Sequence, residues 1–324
     1  MTRARTFRLT VGLVLLIGAL VVLFTALGPI WNGHPAYPAT LLVCAAAGLV
    51  LTASAFWSAG RPPDLPTGQE PAADRPSRAR RVLRVIGRVG VVVIVLGLLA
   101  VLFWLRPFAA GAESMSDLAS DPAVTVVDRP TTIELVPAEP SGNGLVFVPG
   151  ARVDPRAYAQ VLRPVAEAGH LVVIVKPPFG MAIAQPGQPG SAIEAHPDVR
   201  SWAVGGHSLG GVVASWYALD HPDQVGGLLL FGSYSDRDLT GTDLTVESVW
   251  GSNDGLTTPA DIDDTRANLP ATAQFTEIVG GVHAYFGDYG DQPGDGQPGI
   301  DRATATTQIS AAAVDFMQEL GSPA

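Results

Sequence analysis

Three long apolar runs occupy the first third of the chain and constrain its fold more than any other feature. They extend over about residues 9–27, 39–57 and 89–105, and none of them contains a charged residue. A helix rises 1.5 Å per residue, so runs of this length cross, or nearly cross, a hydrocarbon core of about 30 Å. We therefore expect residues 1–108 to form a membrane region with three transmembrane helices.

The composition agrees with a partly lipid-embedded chain, since 47% of the residues are apolar and only 15% are charged. A cleaved signal peptide is the alternative for the first run, because Arg3, Arg5 and Arg8 precede it as its basic region would require. The length of the run and the two later runs favour a membrane span instead.

Charge is distributed unevenly between the two parts of the chain. Residues up to Leu105 include ten Arg and three acidic residues, whereas the remainder includes ten basic and twenty-seven acidic residues. Arg is concentrated before the first run and in the Pro- and Arg-rich loop 58–88, and the loop between the first two runs has no Lys or Arg. The positive-inside rule predicts a cytoplasmic loop 58–88 and an extracytoplasmic C-terminal part. Its acidity argues against a nucleic-acid partner.

After an expected linker over residues 109–121, residues 122–324 alternate short apolar runs with helical patterns. This alternation is typical of βαβ units around a mostly parallel sheet with helices on both faces. The predicted strands are Val124–Val127, Thr132–Val136, Leu145–Val148, Leu171–Val175, Trp202–Val204, Leu228–Phe231, Val246–Trp250 and Phe275–Val279. The predicted helices are Pro155–Glu167, Ser208–Leu219, Pro259–Ala267 and Ala303–Leu320. About 200 residues leave room for little or no cap domain.

A nucleophile motif lies between a predicted strand and a predicted helix. Residues 206–210 read Gly-His-Ser-Leu-Gly, a G-x-S-x-G pattern centred on Ser208. In this context the glycines permit a very tight turn, which presents the serine hydroxyl above the sheet at a helix N-terminus. A plain glycine-rich turn is the alternative, but the flanking strand and helix favour Ser208 as a nucleophile.

A serine nucleophile needs a base and a carboxylate that orients the base. Asp254 follows one predicted strand, and His283 follows the next strand and is the only histidine after His221. The order Ser, Asp, His is the one expected for this motif. Asp261, Asp263 and Asp264 lie near Asp254 and are the alternatives for the acid. The remaining histidines are interpreted as structural residues or, for His207, as the residue that fills the motif.

Acyl transfer also requires amide donors for the developing oxyanion. The backbone N–H of Leu209, at the start of the helix, is one candidate. The N–H of Ala151, in the glycine-containing turn after the strand Leu145–Val148, is the second, with a plain turn as its alternative. Lys176 ends the neighbouring strand and is either a pocket residue or, as the alternative, a strand-end lysine in a salt bridge.

The segment after His283 contains aromatic and acidic residues. Tyr285, Phe286 and Tyr289 are predicted to form walls of an acyl or alcohol pocket. The loop 288–295 has two interpretations: Asp288, Asp291 and Asp295 could ligate a hard cation through oxygen, or the loop could be solvated and glycine-rich without a metal. The spacing does not match an EF-hand, which favours the loop without a metal.

Taken together, the elbow Gly-His-Ser-Leu-Gly-Gly, the turn Pro-Gly-Ala-Arg-Val-Asp-Pro-Arg-Ala-Tyr and the segment from His283 to Gly296 resemble a bacterial α/β-hydrolase family of the dienelactone-hydrolase and carboxylesterase branch. The resemblance covers Val124 to Leu320 and is most specific from His283 to Gly296. Many relatives have His-Gly at the oxyanion turn, where this chain has Pro149-Gly150, so a side chain is lost and the backbone donor is kept.

The motifs and the resemblance together predict a membrane-anchored serine hydrolase of the α/β-hydrolase fold. A Ser208–His283–Asp254 triad would cleave a small-molecule ester through an acyl-enzyme without a cofactor or a metal. The expected location is a multi-pass position in the cell membrane, in contact with bilayer lipid. An acyltransferase of the same fold and a catalytically silent membrane-tethered binding module are the two alternatives.

Overall fold

Two compact units make up the chain in a computed structural model that describes residues 2–57 and 77–320. One unit comprises residues 1–27 and 37–106, and the other comprises residues 28–36 and 107–324. Much of the predicted loop 58–88 therefore lies outside the described residues. Of that loop, residues 78–88 belong to a helix, because Ser77 caps its N-terminus by accepting a hydrogen bond from the Arg80 backbone N–H and Arg favours helix.

Three helices of the first unit are long and apolar enough to cross a membrane. They begin earlier than the uncharged runs do, because a helix can continue through charged residues that a hydrocarbon core excludes. The helices of the first 106 residues are α1 (Arg3–Thr25), the short α2 (Leu27–Asn32), α3 (Ala36–Trp57) and α4 (Arg78–Trp104).

An eight-stranded sheet forms the centre of the second unit, in the spatial order β1-β2-β4-β3-β5-β6-β7-β8. The first strand pairs antiparallel with the second, the second pairs antiparallel with the fourth, and all the remaining pairs are parallel. The strands are β1 (Val124–Asp128), β2 (Thr132–Pro137), β3 (Asn143–Val148), β4 (Leu171–Val175), β5 (Ser201–His207), β6 (Gly227–Phe231), β7 (Thr245–Gly251) and β8 (Gln274–Ile278).

Helices cover both faces of this sheet. Leu145 and Phe147 of β3 belong to one apolar cluster, and Val146 and Val148 belong to the other, as the alternation of side chains along a strand requires. The first cluster includes residues of α6 and α10, and the second includes residues of α7 and α8. The helices are α5 (Ala112–Ser116), α6 (Ala159–Glu167), α7 (Gln188–Glu194), α8 (Leu209–Asp220), α9 (Pro259–Thr265) and α10 (Arg302–Leu320).

The segment 109–121, expected as a linker, is instead packed structure. It contains α5, whose Ser114 is fully buried. The Ser114 backbone N–H donates to Asp288 Oδ2 (3.1 Å), and its hydroxyl donates to the Ala157 carbonyl (3.0 Å). Because hydrogen bonds hold α5 in place, its sequence lacks the periodic apolar pattern that would have indicated a packed helix.

The connections at the carboxyl ends of the parallel strands contain no additional domain in the described part of the chain. Residues 232–244, between β6 and β7, contain no helix, and the only helix between β4 and β5 longer than one turn is α7. The edge of the sheet that holds Ser208 is therefore not covered by a cap formed from these connections.

Candidate active site

Ser208 lies in a strained turn between β5 and α8. Its backbone has φ 52° and ψ −127°, a conformation that L-residues rarely adopt and that occurs mostly at functional sites. The turn is also too tight for side chains on either side: a Cβ on Gly206 would lie 2.4 Å from the Gly210 carbonyl carbon, and one on Gly210 would lie 2.1 Å from the Val148 oxygen. Ser233 Oγ donates to the Ser208 carbonyl (2.7 Å) and helps to hold the turn.

Asp254 and His283 meet at the same edge of the sheet. Asp254 follows β7, and His283 begins a 3₁₀ turn over His283–Phe286 that follows β8. His283 Nδ1 lies 2.8 Å from Asp254 Oδ2, and both side chains are buried. Asp254 Oδ1 accepts from the N–H groups of Leu256 (2.8 Å) and Thr257 (2.7 Å), so the carboxylate is held in one orientation.

Ser208 is not hydrogen-bonded to His283. Among the described residues, His283 Nε2 is buried and has no hydrogen-bond partner. The imidazole lies against the residue before the serine, because the ring centroids of His207 and His283 are 4.5 Å apart. Catalytic hydrogen bonds are often long or unformed in free enzymes and tighten when substrate binds, so this arrangement is compatible with a serine–histidine pair.

A buried network that the sequence analysis missed joins the two turns next to Ser208. The Gly150 N–H donates to the Tyr158 hydroxyl (2.8 Å), and this hydroxyl lies 2.9 Å from His207 Nδ1. A phenol can both donate and accept, so the Tyr158 hydroxyl is a suitable partner for Nδ1 in either neutral tautomer of His207. His207 was interpreted as filling the motif, and no pattern in the sequence pairs it with Tyr158.

Burial determines the protonation states of this network. Desolvation holds the pKa of His207 well below its usual value, and the nearby charge of His283 acts in the same direction. Desolvation also raises the pKa of the Tyr158 phenol, so the phenol remains a donor. His207 is therefore a neutral imidazole within this network.

Two backbone N–H groups were predicted to bind an oxyanion, one in the turn after β3 and the other in the turn after β5. Within the described residues, the N–H of Leu209 and the N–H of Ala151 form no hydrogen bond, and both residues are only half-buried. Strands β3 and β5 are neighbours, with Val148 paired to Gly206, so the two turns leave the sheet side by side. The turn that contains Ala151 is held by Tyr158 through Gly150.

Three of the four predicted pocket residues are buried in the structure. Lys176 is 3% exposed, forms an ion pair with Asp128 and donates to the Arg129 carbonyl (2.7 Å), so its ammonium is held at the β1 edge and not in a pocket. Phe286 and Tyr289 are buried behind the histidines, at 5.8 and 6.0 Å from the His207 ring centroid. These two rings support the site from the core and do not form an open wall.

Tyr285, the third predicted wall residue, is half-buried, and the Arg302 guanidinium lies 4.5 Å from its ring centroid. It lines a cavity of about 270 Å³ together with Val282 and Asp295. Another cavity, of about 530 Å³, lies beside β2 and α7 and is lined by none of the predicted site residues.

Two of the three carboxylates in the acidic loop 288–295 accept hydrogen bonds that hold the structure together. Asp288 accepts from Ser114, and Asp295 accepts from four backbone N–H groups. No cluster of three or more metal-ligating side chains occurs in the residues that the structure describes. These contacts favour a hydrogen-bonded loop over the cation site that was the alternative.

Comparison with known proteins identifies a family for more than half of this chain. A model described as the alpha/beta hydrolase family matches residues 144–307. Among solved structures, a predicted CIB-like hydrolase from Thermoplasma acidophilum is similar to this chain at 15% sequence identity with a TM-score of 0.45, over 61% of this chain and 98% of that chain. A search of curated proteins gave no match. Since the family model covers just over half of the sequence, including all the parallel strands from β3 to β8 and the Ser208, Asp254 and His283 loops, the chain belongs to the alpha/beta hydrolase family.

Proposed function

We propose that this protein is a membrane-anchored serine hydrolase that cleaves ester bonds, as a carboxylesterase does. The observation that carries this proposal is the combination of a strained serine turn at Ser208 with a buried, hydrogen-bonded Asp254–His283 pair at the same sheet edge. A strained backbone at a serine and an oriented imidazole are both costly features, and together they are typical of nucleophilic catalysis.

The chemistry follows from the atoms present. Ser208 Oγ attacks the ester carbonyl carbon while its proton passes to His283 Nε2, and the carbonyl oxygen becomes an oxyanion bound by the N–H groups of Ala151 and Leu209. The C–O bond to the alcohol then breaks, and the imidazolium proton goes to the leaving alcohol. Water, deprotonated by His283, attacks the resulting acyl-enzyme, and the proton returns to Ser208 as the acid leaves.

Asp254 supports both halves of this cycle. Its carboxylate accepts from His283 Nδ1, which leaves the lone pair of Nε2 available as the base and stabilises the imidazolium once it forms. The two N–H groups that bind its other oxygen prevent rotation of the carboxylate. The pair is therefore preorganised before substrate binds.

Because the connections of the parallel strands form no cap domain in the described residues, small esters are the proposed substrates. The resemblance of residues 283–296 to the dienelactone-hydrolase and carboxylesterase branch supports assignment to that branch, in a bacterial cell envelope. No cofactor is needed for this reaction, and the acidic charge of the domain makes nucleic acid an unsuitable partner.

The membrane part is proposed to place the hydrolase outside the cytoplasm. Three helices, three Arg before the first apolar run and seven between the second and third support a cytoplasmic N-terminus and an exit through the third helix. Helix α4 exposes most of its apolar side chains, Leu102 being its only buried residue, and bilayer lipid would cover this surface.

Ester turnover by the detergent-solubilised full chain tests this proposal. We expect wild type to hydrolyse p-nitrophenyl esters, and Ser208→Ala, His283→Ala and the double variant each to lose about 10⁴-fold or more in kcat. The losses should be non-additive because the two residues act as one unit. Ser191→Ala, on the exposed side of α7, is the matched control. Wild-type kcat/KM in Ser208→Ala would refute the assignment of the nucleophile.

A further inference from the structure

Asp295 is a single carboxylate that binds the loops of both the proposed acid and the proposed base. Its Oδ1 accepts from the N–H groups of His283 (3.1 Å), Gly255 (3.2 Å) and Gly296 (2.7 Å). Its Oδ2 accepts from the N–H of Ala284 (2.8 Å). Four donors from three segments of backbone therefore converge on one side chain.

Two of these donors belong to the base. The N–H groups of His283 and Ala284 are the first two of the 3₁₀ turn that carries the imidazole, and a helical turn leaves its first N–H groups without internal partners. The Asp295 carboxylate satisfies both of them, and a negative charge is favourable at this end of the turn. The position of the His283 backbone thus depends on Asp295.

A third donor belongs to the acid. Gly255 directly follows Asp254, and its N–H reaches Asp295 Oδ1. The loops are in backbone contact at this point: a Cβ on Gly255 would lie 2.6 Å from the Gly296 nitrogen, and one on Gly296 would lie 1.7 Å from the Asn253 oxygen. Asp295 therefore connects the Asp254 loop to the His283 loop within hydrogen-bond distance of each.

Arg302 completes the support from the opposite end of the turn. Its guanidinium donates to the carbonyls of Ala284 (2.8 Å), Gly287 (2.7 Å) and Gly290 (3.2 Å). The N–H groups at the start of the His283 turn thus bind a carboxylate, and the carbonyls of the turn and of the residues that follow bind a guanidinium. This leaves Asp295 as the only one of the two side chains that also reaches the Asp254 loop.

We infer that Asp295 is a positioning residue of the reaction, which holds the His283 imidazole and the Asp254 carboxylate in register for proton transfer. The inference rests on the proposed function. Asparagine cannot replace it, because one amide oxygen can accept while the amide NH₂ would face N–H donors on the other side. A displacement of the base by about 1 Å is enough to slow catalysis by about 100-fold.

The test compares Asp295→Asn with Asp291→Asn in the detergent-solubilised full chain. Asp291 lies in the same loop but is exposed. For Asp295→Asn we expect kcat for a p-nitrophenyl ester to fall by about 10- to 100-fold while KM changes less than about threefold. Asp291→Asn should keep wild-type values. Thermal melting of each variant establishes that rates are compared on folded protein.

A second measurement responds to positioning but not to a loss of stability alone. The rate constant of inactivation by a fluorophosphonate does not depend on the amount of folded protein, and it reports how well His283 takes the proton of Ser208. Misplacement of His283 in Asp295→Asn should lower this rate constant by about 10- to 100-fold, in parallel with kcat. Should Asp295→Asn not melt cooperatively, Asp295→Glu, which keeps both oxygens and the charge but lengthens the side chain, should fold and be inactivated more slowly than wild type.

The outcomes separate this inference from the proposed function. An active wild type with an Asp295→Asn variant that is slow in both turnover and inactivation supports the inference. If wild type is active and Asp295→Asn equals Asp291→Asn in kcat and in the rate constant of inactivation, Asp295 has no positioning role, although the proposed function stands. If wild type neither turns over esters nor reacts with the fluorophosphonate, the proposed function fails and this inference fails with it.

Discussion

His283 Nδ1 and Asp254 Oδ2 are 2.8 Å apart, with side-chain exposures of 1% and 0%. Because the carboxylate accepts a hydrogen bond from Nδ1–H, the tautomer with a lone pair on Nε2 is favoured. In the described residues that nitrogen has no other partner. The pair thus holds the imidazole in one orientation and leaves Nε2 without a competing hydrogen bond, and this relationship has direct consequences for mutation.

Asp254→Asn is expected to lower kcat for ester hydrolysis by about 10²- to 10⁴-fold, less than the loss of Ser208. The amide disturbs the tautomer of His283 but leaves the nucleophile and the oxyanion donors in place. Steady-state kinetics on the full chain provide the measurement.

The neighbouring carboxylates supply the controls for this prediction. Asp261 forms a capping box with Thr258 at the start of α9, and Asp263 is exposed in an ion pair with Arg266 (3.6 Å). Asp261→Asn and Asp263→Asn should therefore leave kcat close to wild type. Inactivation by Asp263→Asn with a functional Asp254→Asn would show that the acid has been misassigned.

The sheet could be predicted from the sequence because its strands are short, apolar and separated by clear turn signals. The run Leu171–Val175 is a continuous apolar segment in the sequence and a strand with the same bounds in the structure. The Ser208 turn could also be predicted from the sequence, since only glycines two residues before and after the serine fit the space available. Local backbone geometry and burial restrict which residue types can occur, so they can be inferred from the sequence.

Contacts between segments that are distant in the chain do not restrict residue type in this way, so they could not be predicted from the sequence. Asp295 reaches Gly255, and Tyr158 reaches His207, through single hydrogen bonds that no periodic pattern encodes. The same limit explains Lys176, whose position at a strand end gave two interpretations until its ion pair with Asp128 decided between them. In α5, the buried Ser114 reads as part of a polar linker because a hydrogen-bonded serine and a solvated serine look identical in a sequence.

Tyr158→Phe should lower both the stability of the protein and its rate of ester hydrolysis. Without the hydroxyl, the Gly150 N–H and His207 Nδ1 lose their partner in a buried site, which costs about 1–3 kcal/mol of unfolding free energy. The Ala151 turn is then less well held, so kcat should fall by about tenfold.

Tyr217→Phe is the matched control, because its hydroxyl also donates a hydrogen bond, to Gln224 Oε1 (2.6 Å), but belongs to α8 away from these turns. It should reduce stability without changing kcat. Equal kcat in wild type and Tyr158→Phe would show that the Tyr158 hydroxyl does not support the proposed active site.

Glu247→Gln should stabilise the protein in a pH-dependent manner. Burial raises the pKa of Glu247, a hydrogen bond from Thr276 opposes this effect, and Glu319 and Asp315 reinforce it. A raised carboxyl pKa means that the folded state favours the protonated form. The contribution of the protonated Glu247 carboxyl to the free energy of unfolding is therefore complete below the ordinary glutamate pKa of about 4.3. This contribution is lost as the pH rises through the raised pKa of the folded state.

Glutamine imitates the neutral form at every pH, so Glu247→Gln should raise the Tm at pH 8 and have little effect near pH 4. Glu277→Gln, at an exposed position of β8, is the control and should show no such pH dependence. A Tm difference for Glu247→Gln that is the same at both pH values would contradict the assigned cause.

The orientation in the membrane can be tested with single cysteines. Cys44 is the only cysteine, so Cys44→Ser provides a background free of thiols. Thr272→Cys, at an exposed site of the sheet unit, should react with an impermeant maleimide in intact cells, whereas Ser77→Cys, exposed before α4, should react only after lysis. The reverse pattern would place the hydrolase in the cytoplasm.

The central claim is that Ser208 is a nucleophile activated by His283, and covalent trapping tests it most directly. The full chain is treated with a fluorophosphonate, digested and mapped by mass spectrometry. We expect a single phosphonylated peptide with the adduct on Ser208, formed at a rate that His283→Ala reduces by about 10³-fold or more. An adduct on another residue, or no adduct on a folded wild-type protein, would contradict the account.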